Sequence, residues 1–194
     1  MSNIIFRNIS RPYFIGEISA NHNGNFSTAK NIILTAKKFG VDAVKLQTYT
    51  PDTMTIPSDN REFKIKKGLW KGYTLWDLYN EAQTPFDWHK EIFDYARKLK
   101  ITCFSTPFDD TAVNLLESLK CPFYKVASFE MNHIPLIKKI ARTKKPIIIS
   151  TGMANLKEID LAYKTAKNNG AKEIILLYCV SNYPSKISDF NLNN

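Results

Sequence analysis

Short apolar runs alternate with amphipathic stretches along most of the chain. Between the runs, apolar residues at helical spacing predict helices, as over residues 27–40, where Ser27 is a candidate N-cap and Gly40 a candidate stop. Asp109 and Asn155 are candidate N-caps of two later helices. Most of the runs are continuously apolar, as parallel strands covered on both faces must be. The six predicted strands are residues 13–18, 42–48, 101–106, 122–127, 146–151 and 173–179.

The spacing of these strands indicates the fold class. Successive strand starts are 29, 59, 21, 24 and 27 residues apart, and most steps suit one strand, one helix and two short loops. The long step leaves an insertion between about residues 49 and 84. No GxGxxG or Walker loop follows the first strand, so an α/β (β/α)₈ TIM-type barrel is favoured over a doubly wound sheet. About six of the eight βα units are present, which predicts an incomplete barrel, open at strands one and six.

Composition narrows the class of protein further. The chain has 194 residues, of which 44% are hydrophobic, and it contains neither a run of about 20 apolar residues nor an apolar signal-peptide core. We therefore expect a cytoplasmic protein without membrane association. The three cysteines form no CxxC pair, which predicts reduced thiols. The net charge of +9 is spread along the chain without a nucleic-acid motif, and it suits a small anionic substrate better than nucleic acid.

Two lysines interrupt apolar strands, Lys45 in "DAVKLQT" and Lys125 in "FYKVASFE". A buried lysine needs a negative partner, and active-site groups of βα barrels project from the C-terminal strand ends. Strand alternation places Lys45 and Gln47 on one face, opposite Val44 and Leu46. We expect both lysines at one mouth among other polar residues. These residues are Glu17, Ser105, Thr106, Ser128, Glu130, Ser150, Thr151, Ser181 and Tyr183.

The residues alone leave three interpretations of these lysines open. Lysines with surrounding hydroxyls make an oxyanion pocket for phosphate or carboxylate. Alternatively, each lysine forms a structural ion pair, with Glu17 or Glu130 as its partner. In the third interpretation one desolvated lysine attacks a carbonyl, as in a Schiff-base lyase.

Six segments together resemble the sialic acid synthase family, in the same order and at similar spacing. They are "FIGEISANHNG", "DAVKLQTYTPD", "CFSTPFD", "YKVASFE", "IIISTGMA" and "CVSNYP". The insertion "FKIKKGLWKGYTLWDLYNEAQTPFDWH" is similar to the pseudaminic acid synthase branch. The resemblance implies a phosphoenolpyruvate-dependent transferase of nonulosonic acid biosynthesis, which condenses phosphoenolpyruvate with a 2,4-diacetamido-trideoxy hexose to form pseudaminic acid. An N-acetylneuraminate or legionaminate synthase and a non-catalytic truncated remnant are the alternatives.

The resemblance also implies roles for individual residues. Glu17 matches an acidic catalytic residue that handles protons. Apart from the resemblance, His22 lies at the predicted mouth, where it either orients the sugar substrate or hydrogen-bonds its own loop. Gln47, Glu130 and Tyr183 match positions that face the acceptor sugar. The positions that match phosphoenolpyruvate-binding residues are Lys45, Thr106, Lys125, Ser128, Ser150 and Ser181, the last of which replaces a usual asparagine. His89 and His133 are predicted to be helix-start or surface residues without a catalytic role.

The implied reaction joins the vinyl carbon of phosphoenolpyruvate to the sugar aldehyde, after which water adds to the enol carbon and phosphate leaves. In the family, Mn²⁺ or Mg²⁺ polarises the aldehyde, and its two histidine ligands follow the sixth strand, so no metal site is expected in residues 1–194. These residues are predicted to be the N-terminal portion of the synthase barrel, without strands seven and eight or the C-terminal antifreeze-like domain. We expect the full-length family to form homodimers and this portion to be inactive.

Overall fold

The computed structural model describes residues 11–182 and 185–191. They belong to two compact units, and the boundary lies between Cys121 and Pro122. The N-terminal unit and the C-terminal unit are described separately below. Every helix in the described ranges is too short or too polar to cross a bilayer.

The N-terminal unit has three parallel strands, β1 (Ile15–Glu17), β2 (Ala43–Thr48) and β3 (Thr102–Pro107), paired in that order. One face of β2 and β3 packs against helices and forms a core of side chains that are almost fully buried, among them Val44, Leu46 and Cys103. The helices of this unit are α1 (Phe26–Lys38), α2 (Pro51–Met54), α3 (Leu75–Ala82), α4 (Phe86–Lys98) and α5 (Asp110–Ser118).

The C-terminal unit repeats the same pattern of strand and helix. Its parallel strands are β4 (Tyr124–Val126), β5 (Ile147–Ser150) and β6 (Ile174–Leu177), with β5 between the other two. The helices are α6 (Ile134–Arg142) and α7 (Leu156–Asn168). Side chains of β5 are at most 5% exposed, whereas Leu176 of β6 is 43% exposed. The apolar side chains of β6 are therefore only partly covered.

The sequence located all six strands. Five of the observed strands are shorter than predicted, and β3 has the predicted length but begins and ends one residue later. Asp109 and Asn155 are N-caps as predicted, and each accepts hydrogen bonds from backbone N–H groups of the first turn. The prediction for α1 was wrong, because its N-cap is Asn25 and Ser27 lies inside the helix. Asn25 Oδ1 accepts a hydrogen bond from the Thr28 N–H at 3.0 Å. Ser27 already lies within the first turn, so the capping acceptor is Asn25. Gly40 follows the helix with a positive φ of 77°, consistent with its predicted role as a stop.

The two candidate caps of α1 provide a matched pair of substitutions. Asn25→Ala removes the acceptor of a backbone N–H, and we expect it to lower the free energy of unfolding by about 1 kcal/mol. Ser27→Ala removes a hydroxyl without a capping role, so its effect should stay within about 0.5 kcal/mol. Urea denaturation followed by circular dichroism measures both. A larger loss for Ser27→Ala than for Asn25→Ala would contradict the observed helix start.

Candidate functional site

In the N-terminal unit, Lys45 lies in the middle of β2 and its side chain is almost fully buried. Its Nζ is 2.5 Å from Oε2 of Glu17, the last residue of β1 and its partner in the strand register. Lys45 is 7% exposed, whereas the Glu17 side chain is 44% exposed. Lys45 therefore forms the ion pair with Glu17 that the second interpretation predicts, and an anion that bound Lys45 would compete with the accessible Glu17 carboxylate.

Gln47 and Thr106 lie opposite each other on β2 and β3, and Gln47 is two residues beyond Lys45 on the same face of β2. The Ser19 hydroxyl donates to Gln47 Oε1 at 2.8 Å, which holds the amide at the end of β1. Thr106 is 1% exposed, and its hydroxyl is among the few buried polar atoms in the described ranges without a hydrogen-bond partner. A buried hydroxyl without a partner is costly, so a ligand oxygen there would remove the cost. This geometry suits the predicted ligand-binding role of Thr106.

Ser105 does not belong to this group, which corrects its predicted placement among the polar residues at the mouth. Its hydroxyl is 2.6 Å from Thr48 Oγ1, and Thr48 Oγ1 is 2.9 Å from His89 Nε2. His89 Nδ1 donates to the Pro85 carbonyl at 2.9 Å, so the neutral ring accepts from Thr48 and Thr48 accepts from Ser105. All three side chains are fully buried, on the face of β2 and β3 opposite Lys45.

The buried His89 ring makes the stability of the protein depend on pH. Burial lowers the pKa of His89, and its hydrogen bond to Pro85 offsets this only in part. In the unfolded chain His89 has a pKa of about 6.5. Below that pH the unfolded chain binds a proton at this ring and the folded chain does not, so the free energy of unfolding falls as the pH falls. Between pH 7 and pH 5.5 we expect the His89 contribution to the free energy of unfolding to fall by about 1 kcal/mol.

The measurement is urea denaturation at both pH values for the wild type and for His89→Gln. The variant should show a smaller loss on acidification, even if it is less stable at pH 7. Burial also lowers the pKa of His22 and raises that of Glu130, and both contributions remain in the variant and cancel in the comparison. Equal losses for the two proteins would contradict a neutral His89 in the folded state.

His22 lies in the loop between β1 and α1 and is fully buried. Its Nδ1 accepts from the Gly24 N–H at 3.1 Å, and its Nε2 is 3.3 Å from the Thr84 hydroxyl. The Trp88 ring contacts the imidazole edge-on, with 5.4 Å between the ring centres. These contacts favour the second role predicted for His22, in which it supports its own loop.

In the C-terminal unit, the register of β4 and β5 places Lys125 and Ser150 on the same face, because Lys125 is paired with Ile148. Strand β4 ends at Val126, so Ser128 is free of strand alternation, as predicted. The Ser128 hydroxyl lies 3.4 Å from Cys179 Sγ, just beyond β6. The structure thus brings Ser128 near Cys179, which the sequence did not single out.

Glu130 follows β4 in a half-buried position. Burial raises the pKa of its carboxyl, although the charge of Lys125 acts in the opposite direction. Its Oε2 is buried without a hydrogen-bond partner in the described part of the chain. The sugar-binding role of Glu130 stays a prediction, as does that of Tyr183, which lies outside the described residues.

The described residues do not fit a divalent metal. Within residues 11–182 and 185–191, no three His, Cys, Asp or Glu side chains are grouped closely enough to hold one. Both ring nitrogens of His22 and of His89 already make hydrogen bonds. His133 is exposed at the start of α6.

Comparison with known proteins relates these features to characterised enzymes. A pseudaminic acid synthase of Helicobacter pylori is 49% identical over 181 residues, which are 93% of this chain and 53% of the relative. A pseudaminic acid synthase of Campylobacter jejuni is 42% identical and covers 96% of this chain and 54% of the relative. An N,N'-diacetyllegionaminic acid synthase of the same species is 35% identical, with 95% and 56% covered. The chain thus spans about half the length of the curated relatives it matches.

Solved structures and a family model agree with these sequence relatives. The N-acetylneuraminic acid synthetase of Leptospira borgpetersenii superposes with a TM-score of 0.80 at 28% identity, over 93% of this chain and 58% of that one. The spore coat polysaccharide biosynthesis protein SpsE of Bacillus subtilis gives 0.72 at 31% identity, over 92% and 47%. This likeness confirms the predicted TIM-barrel fold class. Because the NeuB family model matches residues 32–194, the chain belongs to the NeuB family.

Proposed function

We propose that this chain is part of a phosphoenolpyruvate-dependent nonulosonate synthase that forms pseudaminic acid. The observation that carries the proposal is the order of identities, 49% to a pseudaminic acid synthase against 35% to a legionaminic acid synthase and 32% to an N-acetylneuraminate-9-phosphate synthase of Drosophila melanogaster. In the proposed reaction, a 2,4-diacetamido-trideoxy hexose, phosphoenolpyruvate and water give pseudaminic acid and phosphate. One carbon–carbon bond forms and water adds to the enol carbon. The bond between that carbon and the bridging oxygen then breaks, so phosphate departs with the bridging oxygen and the oxygen of water stays on the product.

The proposed roles follow the charges of the side chains. Lys45 and Lys125 bind the anionic groups of phosphoenolpyruvate, and the buried Thr106 hydroxyl donates to one of its oxygens. When the ligand binds, Lys45 pairs with the ligand in place of the Glu17 carboxylate, and Glu17 is then able to accept or donate a proton. A divalent metal belongs to the proposed reaction as the group that polarises the aldehyde, and we assign no step through it to the described residues.

The insertion is proposed to influence the choice of sugar. It contains α2, α3 and a hairpin in which Ile65 and Tyr73 are hydrogen-bonded. Leu69, at the turn of this hairpin, is 92% exposed, and Trp70 is 48% exposed. Aromatic and aliphatic surface of this kind suits the methyl and acetamido groups of a deoxy sugar. A loop that only packs on the barrel remains the alternative.

A chimera tests the proposed function. Residues 14–192 of this chain would replace the aligned part of the Helicobacter pylori synthase, and phosphate release and product formation would be measured with Mn²⁺. We expect phosphoenolpyruvate consumption only with the 2,4-diacetamido-trideoxy acceptor and not with N-acetylmannosamine. Preference for N-acetylmannosamine would favour the sialic acid alternative. A folded, inactive chimera would favour a non-catalytic remnant.

The same chimera separates a synthase from a Schiff-base lyase. Borohydride treatment in the presence of substrate labels a lysine only when an imine has formed. We expect no label on Lys45 or Lys125 by peptide mass spectrometry. A substrate-dependent label on either lysine would contradict the proposed chemistry, since the synthase uses both lysines as charges.

A further inference from the structure

Cys179 lies among hydrogen-bond donors in the C-terminal unit. Its Sγ is 3.4 Å from the Ser128 hydroxyl, and the Ser150 hydroxyl and the backbone of Thr151 and Gly152 also hydrogen-bond the sulfur. Two of these residues, Ser128 and Ser150, are among those for which the family resemblance implies phosphoenolpyruvate binding. The sulfur therefore occupies a position at which donors for an anion converge.

The backbone at Gly152 is shaped for close contact with this cysteine. A Cβ built on Gly152 would lie 3.0 Å from Cys179 Sγ and only 2.5 Å from the Cys179 carbonyl oxygen. It would also lie 2.6 Å from Ser181 Oγ, a third predicted phosphoenolpyruvate-binding hydroxyl. Only glycine allows the loop after β5 to approach β6 so closely, and this approach groups Cys179 with Ser128, Ser150 and Ser181.

The three cysteines of the chain differ in their chemistry. Cys103 and Cys121 are buried, at 6% and 0% exposure, and burial raises the pKa of Cys103 well above its ordinary value. Cys179 is partly exposed. Burial also acts to raise the pKa of Cys179, but the hydrogen bonds outweigh it and the pKa lies below its usual value. Reagents that attack thiolates should therefore reach Cys179 first.

We propose that Cys179 is a positioning residue of the phosphoenolpyruvate site. Its sulfur accepts hydrogen bonds from the Ser128 and Ser150 hydroxyls and so orients them, and both hydroxyls donate to the anionic ligand when it binds. This inference rests on the proposed function. The thiolate form of Cys179 and an anionic ligand compete for the same donors, so a bound ligand favours the protonated thiol and slows its alkylation. Alkylation in turn places a bulky group among the donors and excludes the ligand. Ligand binding and modification of Cys179 are thus mutually exclusive.

Alkylation by iodoacetamide tests the proposal on the native chain. The thiolate sulfur forms a bond to the methylene carbon and iodide leaves, and mass spectrometry of peptides follows each cysteine separately. Phosphoenolpyruvate binding is measured independently, by ligand-observed NMR. At a ligand concentration about ten times its Kd, the alkylation rate of Cys179 should fall about tenfold. Inorganic phosphate at saturation should protect as well, whereas chloride at equal ionic strength should not.

Variants distinguish positioning from simple proximity. Cys179→Ala removes the acceptor that holds the hydroxyls, and we expect weaker phosphoenolpyruvate binding, with recovery in Cys179→Ser. Iodoacetamide should reduce phosphoenolpyruvate binding by the wild type and leave the binding of Cys179→Ala unchanged. Equal affinities of the Ala and Ser variants would overturn the positioning role.

The outcomes also separate this inference from the proposed function. If NMR detects phosphoenolpyruvate binding and Cys179 is alkylated at the same rate with and without ligand, the inference is overturned and the proposed function stands. If Cys103 or Cys121 reacts before Cys179 in the folded chain, the inference is likewise overturned. If phosphoenolpyruvate does not bind the folded chain at all, the inference is overturned, and turnover by the chimera decides separately on the proposed function.

Discussion

Replacing Lys45 with methionine should weaken phosphoenolpyruvate binding by about 30-fold or more, because removing a charged hydrogen bond to a desolvated anion costs about 2–4 kcal/mol. Methionine keeps most of the length of the buried side chain and removes only the charge. The partner Glu17 is 44% exposed and can be solvated by water, so the fold should tolerate the loss. The measurement is the Kd of phosphoenolpyruvate by ligand-observed NMR, together with KM in the chimera.

Lys90→Met is the matched control for this substitution. Lys90 also forms an ion pair, with Asp94 at 2.9 Å, but both side chains are well exposed on α4. Losing this pair should change stability by less than about 1 kcal/mol and leave phosphoenolpyruvate binding unchanged. If Lys45→Met lowered stability by several kcal/mol and had no effect on phosphoenolpyruvate, the structural ion-pair interpretation of Lys45 would be correct and the proposed role wrong.

The predictions that succeeded depend on local patterns. Period-two alternation placed Lys45 and Gln47 on one face of β2, and the contacts to Glu17 and Ser19 confirm that face. Continuous apolar runs located the strands, because a buried strand contains few polar residues wherever it lies in the fold. The cap of α1 was missed because Asn25 and Ser27 are both good capping residues, and the choice between them depends on where the helix begins.

The contacts that the sequence did not predict join residues far apart in the chain. Thr48 is 41 residues from His89, and Ser128 is 51 residues from Cys179. No periodicity links such positions, since strand pairing and helix packing decide which loops meet. His89 in particular carries no local sign of burial, because the first turn of a helix is as often exposed as covered. Gly152 had a weak signal, a glycine directly after a predicted strand, which often indicates close approach of two backbones.

Replacing Gly152 with alanine should lower the free energy of unfolding by about 2–3 kcal/mol, as overpacking of a tight contact does. The new Cβ would lie 2.5 Å from the Cys179 carbonyl oxygen, and this oxygen belongs to the backbone just after β6, so it cannot rotate away as a flexible side chain would. Either the loop after β5 shifts or the unit loses stability. A shift would also remove the Gly152 N–H from the sulfur, so Cys179 should become less reactive towards iodoacetamide.

Gly16→Ala is the control, because a Cβ at Gly16 would lie 3.4 Å from its nearest neighbour, Val41 Cγ1, and has room. The φ angle of Gly16 is not in the left-handed region either, so alanine there should change stability by less than about 1 kcal/mol. Urea denaturation followed by circular dichroism compares both variants with the wild type. Equal stability of the two variants, with unchanged alkylation of Cys179, would mean that the loop after β5 does not press against β6. The grouping of Cys179 with Ser128, Ser150 and Ser181 requires that close approach, since Gly152 is the point at which the two strand ends meet.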